Sequence, residues 1–372
     1  MNPQAQFCPN NDCPARGQRG KGNIKIHSRK EKRYRCQQCH RTFTEKSGTA
    51  MQGLKKSSEV FEIVVALLAH GCPIPAIVVA FKLDVRTVRS WLLKAGLHCE
   101  QVHEYMVQSQ QLDLGQVQAD EIKVKTQNGT IWMALAMMVS TRLWLGGVVG
   151  PRRDKQLIGE LAEQIRAVAL CRPLLLAVDG LASYVKAFQK AFRTPVREGK
   201  AGRPHMHAWQ AVAIVQVIKK RTANSFTVTR RIVQGCEQII TNLIEASQGC
   251  GCINTAYIER LNATFRQRLN VLTRRSRNLA RKQDTLHAGM FLIGCMSNFC
   301  VFHKSLRLPL HLSKKRIHWV KRTPAIAAGL TDQRWSVFEL LSFKVPPPRW
   351  TLPKRRGRPA TANLELALRW SS

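Results

Sequence analysis

The chain has 372 residues, enough for two or three domains around one sizeable core. Lys and Arg outnumber Asp and Glu by 59 to 23, a formal charge of +36, and a surplus of that size points to a polyanion, nucleic acid first. The chain has no run of eighteen consecutive apolar residues and no signal-peptide pattern, which disfavours a membrane partner, and its cysteines are then expected as free thiols or metal ligands rather than disulfides.

Residues 1–50 are polar and basic, with almost no aliphatic core. They carry Cys8-x4-Cys13 and Cys36-x2-Cys39, two short pairs separated by a loop. Such a pattern supplies four thiolates to a tetrahedral zinc ion, and a segment so poor in apolar residues needs that staple to fold. His27 or His40 is the alternative fourth ligand. Lys25, Arg29, Lys30, Lys32, Arg33, Arg35 and Arg41 lie between and after the pairs, as phosphate contacts or as a solvated basic face on a zinc ribbon.

Residues 55–100 read as three short helices: Glu59 to His70, Pro73 to Phe81, and Val85 to Leu93 capped by Asp84. Val85, Val88 and Leu92 are expected inward, leaving Arg86, Thr87, Arg89 and Ser90 outward. This is a helix-turn-helix pattern, whose last helix enters the major groove; a plain three-helix packing unit is the alternative.

From residue 113 strands take over. Val117 to Val124, Thr130 to Val139 and Leu143 to Val149 predict an antiparallel meander, with the hairpin signal Asn128-Gly129 between the first two. A helix is expected over Asp154 to Leu170, then a doubly buried strand, Leu174 to Val178, ending at Asp179-Gly180. A helix near Tyr184 to Phe192 follows. Between 193 and 253 the pattern is weak: a loop at Pro204 to His207, a strand or helix over Ala211 to Ile218, and a helix within Arg230 to Ala246. Asn254 then caps a helix with an apolar stripe of Ile258, Leu261, Phe265, Leu269 and Leu272, and Glu259, Asn262 and Arg266 share another face. Residues 286–303 read as an apolar helix in which Asn298 and His303 are structural.

Strand, strand, strand, helix, strand is the order of the ribonuclease-H-like fold, in which the first and fourth strands are neighbours. The expected fold is therefore α/β, with a ribonuclease-H-like catalytic core over 113–303 behind a zinc-binding domain and a helix-turn-helix domain. Asp120 and Asp179 would meet there. Phosphodiester chemistry asks for in-line geometry and divalent ions on the attacking and leaving oxygens, and Mg2+ takes oxygen ligands. Asp120, Asp179 and Glu259 are the candidate catalytic ligands of Mg2+ or Mn2+. Glu121 competes with Asp120, but strand alternation should send the two to opposite faces.

The residues Tyr34-Arg35-Cys36-x2-Cys39-x-Arg41-Thr42-Phe43-Thr44-Glu45, the strand around Asp120-Glu121, Ala177-Val178-Asp179-Gly180 and Asn254-Thr255-x2-Ile258-Glu259-Arg260-x-Asn262 resemble those of bacterial insertion-sequence transposases of the DDE type, in the retroviral-integrase superfamily. The likeness covers about residues 5 to 300, and 193–250 match nothing in it. It implies double-stranded DNA partners (the element's terminal inverted repeats and the target) and two-metal cleavage followed by strand transfer. It further implies an assembly of at least two copies, in the bacterial cytoplasm with the nucleoid. A DNA-binding regulator and a nuclease that cuts without joining are the alternatives.

Arg260, Arg266, Arg268, Arg274, Arg275, Arg277, Arg281 and Lys282 form a stretch free of acids, suited to a DNA backbone, with a solvated basic face as the alternative. Arg260 and Arg266 are candidates to hold DNA near the scissile phosphate. The tail, 304–372, is expected to hold a helix containing Trp335. It continues through Lys354-Arg355-Arg356-Gly357-Arg358-Pro359, the core of an AT-hook for a narrow minor groove or else part of a disordered basic tail. Cys236, Cys250 and Cys252 read as buried free thiols, with a second metal site near Glu259 as the alternative.

Overall fold

The computed structural model describes all residues except 128, 198, 200–201, 223–224, 250, 273–281, 314–315, 353–359 and 371–372, with backbone alone at 312, 313 and 316. Asn128, Cys250, Arg274, Arg275, Arg277 and Arg281, and the AT-hook residues Arg355, Gly357, Arg358 and Pro359, lie outside the described residues. The chain forms two compact units. One is Met1–Glu59 with Leu341–Ser372; the other is Val60–Leu340.

The smaller unit holds the antiparallel strands β1 (Ile24–Ser28), β2 (Arg33–Cys36) and β3 (Thr42–Thr44) in that order. Its core is made of Cys8, Cys13, Ala15, Ile24, Tyr34, Cys36 and Phe43, closed by Trp370 from the far end of the chain. The tail expected as one segment over 304–372 is thus divided between the units.

The larger unit is mixed α/β. It opens with helices α1 (Ser58–Ala69), α2 (Ile74–Phe81) and α3 (Val85–His103). Asp84 caps α3 through the Arg86 amide, at 2.7 Å. α3 runs ten residues past the expected end because its second half is a core helix: Ala95, Cys99 and Val102 are fully buried. Val88 and Leu92 face inward as expected. Val85 does not, being 36% exposed, because it sits on the open first turn.

Strands β4 (Gln116–Thr126), β5 (Gly129–Met138) and β6 (Trp144–Gly150) form the meander. After them come α4 (Lys155–Val168), β7 (Leu174–Val178) and α5 (Ala182–Ala191). A two-stranded ribbon of β8 (Arg193–Val196) and β9 (His205–Ala208) replaces the loop expected at Pro204 to His207. Next are the strands β10 (Val212–Arg221) and β11 (Phe226–Gln234), then helices α6 (Glu237–Gln248), α7 (Ala256–Arg268) and α8 (Gln283–Cys295). The ribbon β12 (Leu308–Ser313) with β13 (Arg316–Val320), then α9 (Pro324–Ala327) and α10 (Val337–Ser342), lead into the terminal α11 (Thr361–Trp370). Trp335 lies just ahead of α10 rather than within it.

The six-stranded sheet has the order β11-β10-β7-β4-β5-β6. β7 pairs in parallel with β4 and with β10, and with helices over both faces of the sheet all of Leu174–Val178 is buried, as its continuous apolar run predicts. α6 packs on one face through Ile240 and Ile244, against Leu175, Ala177, Ala213 and Val215. α7 shares that face, and α5 reaches the other. The helical stretch Gln283–Leu306 is apolar enough to cross a membrane by length and composition (mean hydropathy 1.5), yet 67% of its most apolar window is buried inside the unit. Asn298 in it clamps β6, accepting from the Trp144 amide and donating to the Trp144 carbonyl, each at 2.9 Å.

Candidate active site

β4 brings Asp120 to the middle of the sheet, and β7 delivers Asp179. Their register is parallel, with Gln118 opposite Ala177, so two residues further on Asp120 and Asp179 come level at the point where β7 stops. Asp179 starts a turn: its Oδ1 accepts from the Leu181 amide at 2.9 Å.

The helix carrying Glu259 is docked by β4 itself. An α-helix leaves its first amides without intrahelical partners. Gln118 Oε1 accepts from two of them, Tyr257 and Ile258, both at 3.0 Å, and its Nε2 donates to the Asn254 carbonyl at 2.8 Å. Asn254, expected as the cap, also accepts from the Ala256 amide at 3.0 Å, but it sits one residue ahead of the cap position, which Thr255 occupies. Asn262, expected on the Glu259 face of the helix and as a DNA contact, lies against the carboxylates. It is 1% exposed, and its Nδ2 donates to Asp120 Oδ2 at 2.8 Å. One turn earlier, Glu259 accepts from Thr255 Oγ1 at 2.6 Å and from Lys219 Nζ of β10.

Glu121 overturns the alternation argument. Its backbone does point to the other face, where Tyr184 Oη of α5 donates to Oε2 at 2.6 Å. Its long side chain nevertheless bends to the end of β7, and oxygens of Asp120, Glu121 and Asp179 all lie within 4.8 Å of one another. Glu259 is not part of that group. Arg153, just after β6, spans the cluster: Nε donates to Glu121 and Nη2 donates to Asp179 at 2.6 Å. Arg153, Tyr184, Lys219 and Gln118 were not legible as site residues, because each comes from a distant element with no local motif around it.

Burial, and then the neighbouring Glu121, push Asp120 up to about 7, with Asp179 and Glu259 acting in the same direction. Burial likewise raises Glu121, although Tyr184 and Arg153 oppose the shift. Hard oxygen donors crowded until one retains its proton suit a divalent cation, and the site fits one on that ground.

The four cysteines of the smaller unit converge. Cys8 and Cys39 Sγ are 3.6 Å apart and Cys13 and Cys36 Sγ 3.8 Å, with no disulfide. A tetrahedron with Zn–S of about 2.3 Å has edges of about 3.8 Å. His27 and His40 are not in the group, so the thiolate set could hold zinc without them. Hydrogen bonds from Cys13 and Cys8 lower the Cys36 thiol, while Cys8 and Cys13 are raised.

Of the expected DNA contacts, Arg86, Arg89 and Ser90 are exposed on the first turns of α3, and Thr87 is half-buried. Arg260 is exposed on α7 and Arg266 half-buried. Cys236 and Cys252, expected buried, are exposed, since they flank α6 outside its packed face. No model of a known protein family matches the chain, and no curated protein matches it.

Proposed function

We propose that the protein is a DDE-type DNA transposase, acting on the ends of an insertion sequence by metal-dependent cleavage and strand transfer. The observation that carries this is the β4–β7 register, which sets Asp120 level with Asp179 while Gln118 and Asn262 tie the Glu259 helix to the same strand. The meander β4–β6, the crossing helix α4 and the seating of β7 beside β4 favour a ribonuclease-H-like core, with β11 as an added edge strand. The charge of +36, the exposed Arg86 and Arg89, and a four-cysteine cluster suited to structural Zn2+ favour DNA as the partner.

Asp120 and Asp179 would hold Mg2+ or Mn2+, with Glu259 completing the set. Bound there, the ions supply charge stabilisation at the attacking and leaving oxygens of the phosphodiester. Asn262 fixes the rotamer of Asp120. Glu121, pinned by Tyr184, aims Arg153 across the cluster, and Lys219 neutralises Glu259. Water cleaves the phosphodiester at the element end and leaves a 3′-hydroxyl. That hydroxyl then attacks a target phosphodiester, so one bond is broken for each one made. Two ends must meet, which calls for at least two copies.

The test is a joining assay with labelled duplexes taken from the DNA flanking the gene, a plasmid target, and Mg2+ or Mn2+. Joined products are expected from the wild type, and at least a thousandfold less from Asp179→Asn or Glu259→Gln, since each removes a charge on which transition-state stabilisation depends (about 4 kcal/mol). Cutting without joining would indicate a nuclease. End binding without product would indicate a DNA-binding regulator. Full activity in Glu259→Gln would remove α7 from the chemistry.

A further inference from the structure

β10 pairs with β7 only over Val212–Gln216, and from Val217 onward its sole partner is β11. The hairpin therefore extends beyond the body of the sheet. Its register sets Lys219 opposite Val228, Arg221 opposite Phe226 and Val217 opposite Arg230, and residues opposite one another share a face. That face borders the carboxylates: Lys219 reaches Glu259, and Arg230 Nε donates to the Ile253 carbonyl at 2.8 Å, just ahead of α7. Phe226, at its outer end, is 62% exposed.

Residues 212–234 contain five Lys or Arg and no Asp or Glu. A second copy adding a strand along β11 would bring like charges together, so the hairpin is built against self-pairing. A polyanion suits it. Arg221 and Arg230, the latter opposite Val217, are offset by four residues in that register, about 13 Å along the strand. That spans about four steps of axial rise along one DNA strand at about 3.4 Å each. An aromatic ring beside such a cationic row stacks on bases without regard to sequence, but only on a base that is not paired.

We propose that this face of the β10–β11 hairpin holds the DNA strand flanking the scissile phosphate, with Arg221 and Arg230 on its phosphates and Phe226 stacked on an unpaired base. The proposal rests on the transposase reading for the location of the cut, not for the chemistry of the surface.

The experiment uses the full chain without divalent metal, so that binding is read apart from cutting. Duplexes of the end sequence carry 2-aminopurine at successive positions across the cut. Wild type is expected to change the 2-aminopurine fluorescence at one flanking position, and Phe226→Ala to lose that change. The Arg221→Gln/Arg230→Gln double variant should lower the slope of log affinity against log salt by about 1.8, at about 0.9 per phosphate contact. An unchanged slope, or fluorescence at every position identical in wild type and Phe226→Ala, would overturn the proposal. So would a double variant whose only effect is to turn oligomers into monomers in sedimentation, which would make the face a protein interface. Loss of joining with both binding readouts intact would sink the transposase reading alone, and the reverse would remove only the hairpin face.

Discussion

Asp120 keeps its proton up to about pH 7 because it is buried beside Glu121, with Asp179 and Glu259 adding their charge. Its ordinary value is 3.8, so between about pH 4 and pH 7 the folded chain holds a proton that the unfolded chain has released. Over that window, stability of the metal-free protein falls as pH rises. A divalent ion must displace the same proton below pH 7 and meets no such competitor above it. Thermal melts with and without Mn2+ should therefore show a metal-induced rise in Tm that is small at about pH 5.5 and reaches its full size by about pH 8. Asp120→Asn should abolish most of that rise at every pH. A rise that does not depend on pH, or one that survives in Asp120→Asn, would place the ion elsewhere.

At the level of elements, the crossing of α3 and α8 sets how the first helices meet the sheet domain. Gly96 of α3 lies against Ala288 of α8, and a Cβ there would sit 2.3 Å from the Ala288 carbonyl oxygen and 2.5 Å from its Cα. Those are backbone atoms, which cannot rotate away. Gly96→Ala should destabilise the protein by about 3 kcal/mol, since overpacking exceeds the ~1 kcal/mol gained in helix propensity. Gly159 is the internal control. It is also mid-helix, in α4, but a Cβ there meets nothing within 4 Å, so Gly159→Ala should stabilise by roughly 0.5–1 kcal/mol. Urea denaturation of both variants checks the pair; equal and same-signed shifts would mean that the helices are not in this contact.

For the molecule as a whole, the smaller unit is made from both ends of the chain. Trp370, 3% exposed, completes the core around Cys8, Cys13 and Cys36, with Leu366 of the same helix packed beside it. A second tie between the ends is polar: Arg16 Nε donates to the Pro348 carbonyl at 2.6 Å, and Lys344 Nζ donates to Gln6. Trp370→Ala should cost the unit about 3–5 kcal/mol, the range for a buried Trp. Zinc loaded onto the four cysteines should then pass to a chromogenic chelator at least tenfold faster than from wild type so loaded, and protease should cut within 341–372 first. An unchanged release rate would show that the cysteines hold the metal without the C-terminal helix.

Much of this was legible in the chain because it is local. The two cysteine pairs, the Asp84 cap, the apolar run ending at Asp179 and the stripe of α7 each depend on residues a few positions apart, where spacing and secondary-structure period carry the information. What lay beyond reach depended on pairing across the fold. Alternation along β4 assigns Glu121 to the opposite face, correctly for its backbone. Only the early end of β7 and the position of Arg153 reveal that its carboxylate joins Asp120 and Asp179. Likewise nothing near Trp370 marks it as core, since α11 is short and mostly exposed until it meets the cysteine cluster. The sequence by itself determined the cysteine pairs, the acids Asp120 and Asp179 and the elements that bear them. Tertiary structure decided which acids converge, which cations oppose them and which distant segment closes the core around the four cysteines, because those contacts depend on sheet register and on chain ends brought together rather than on any repeat along the chain.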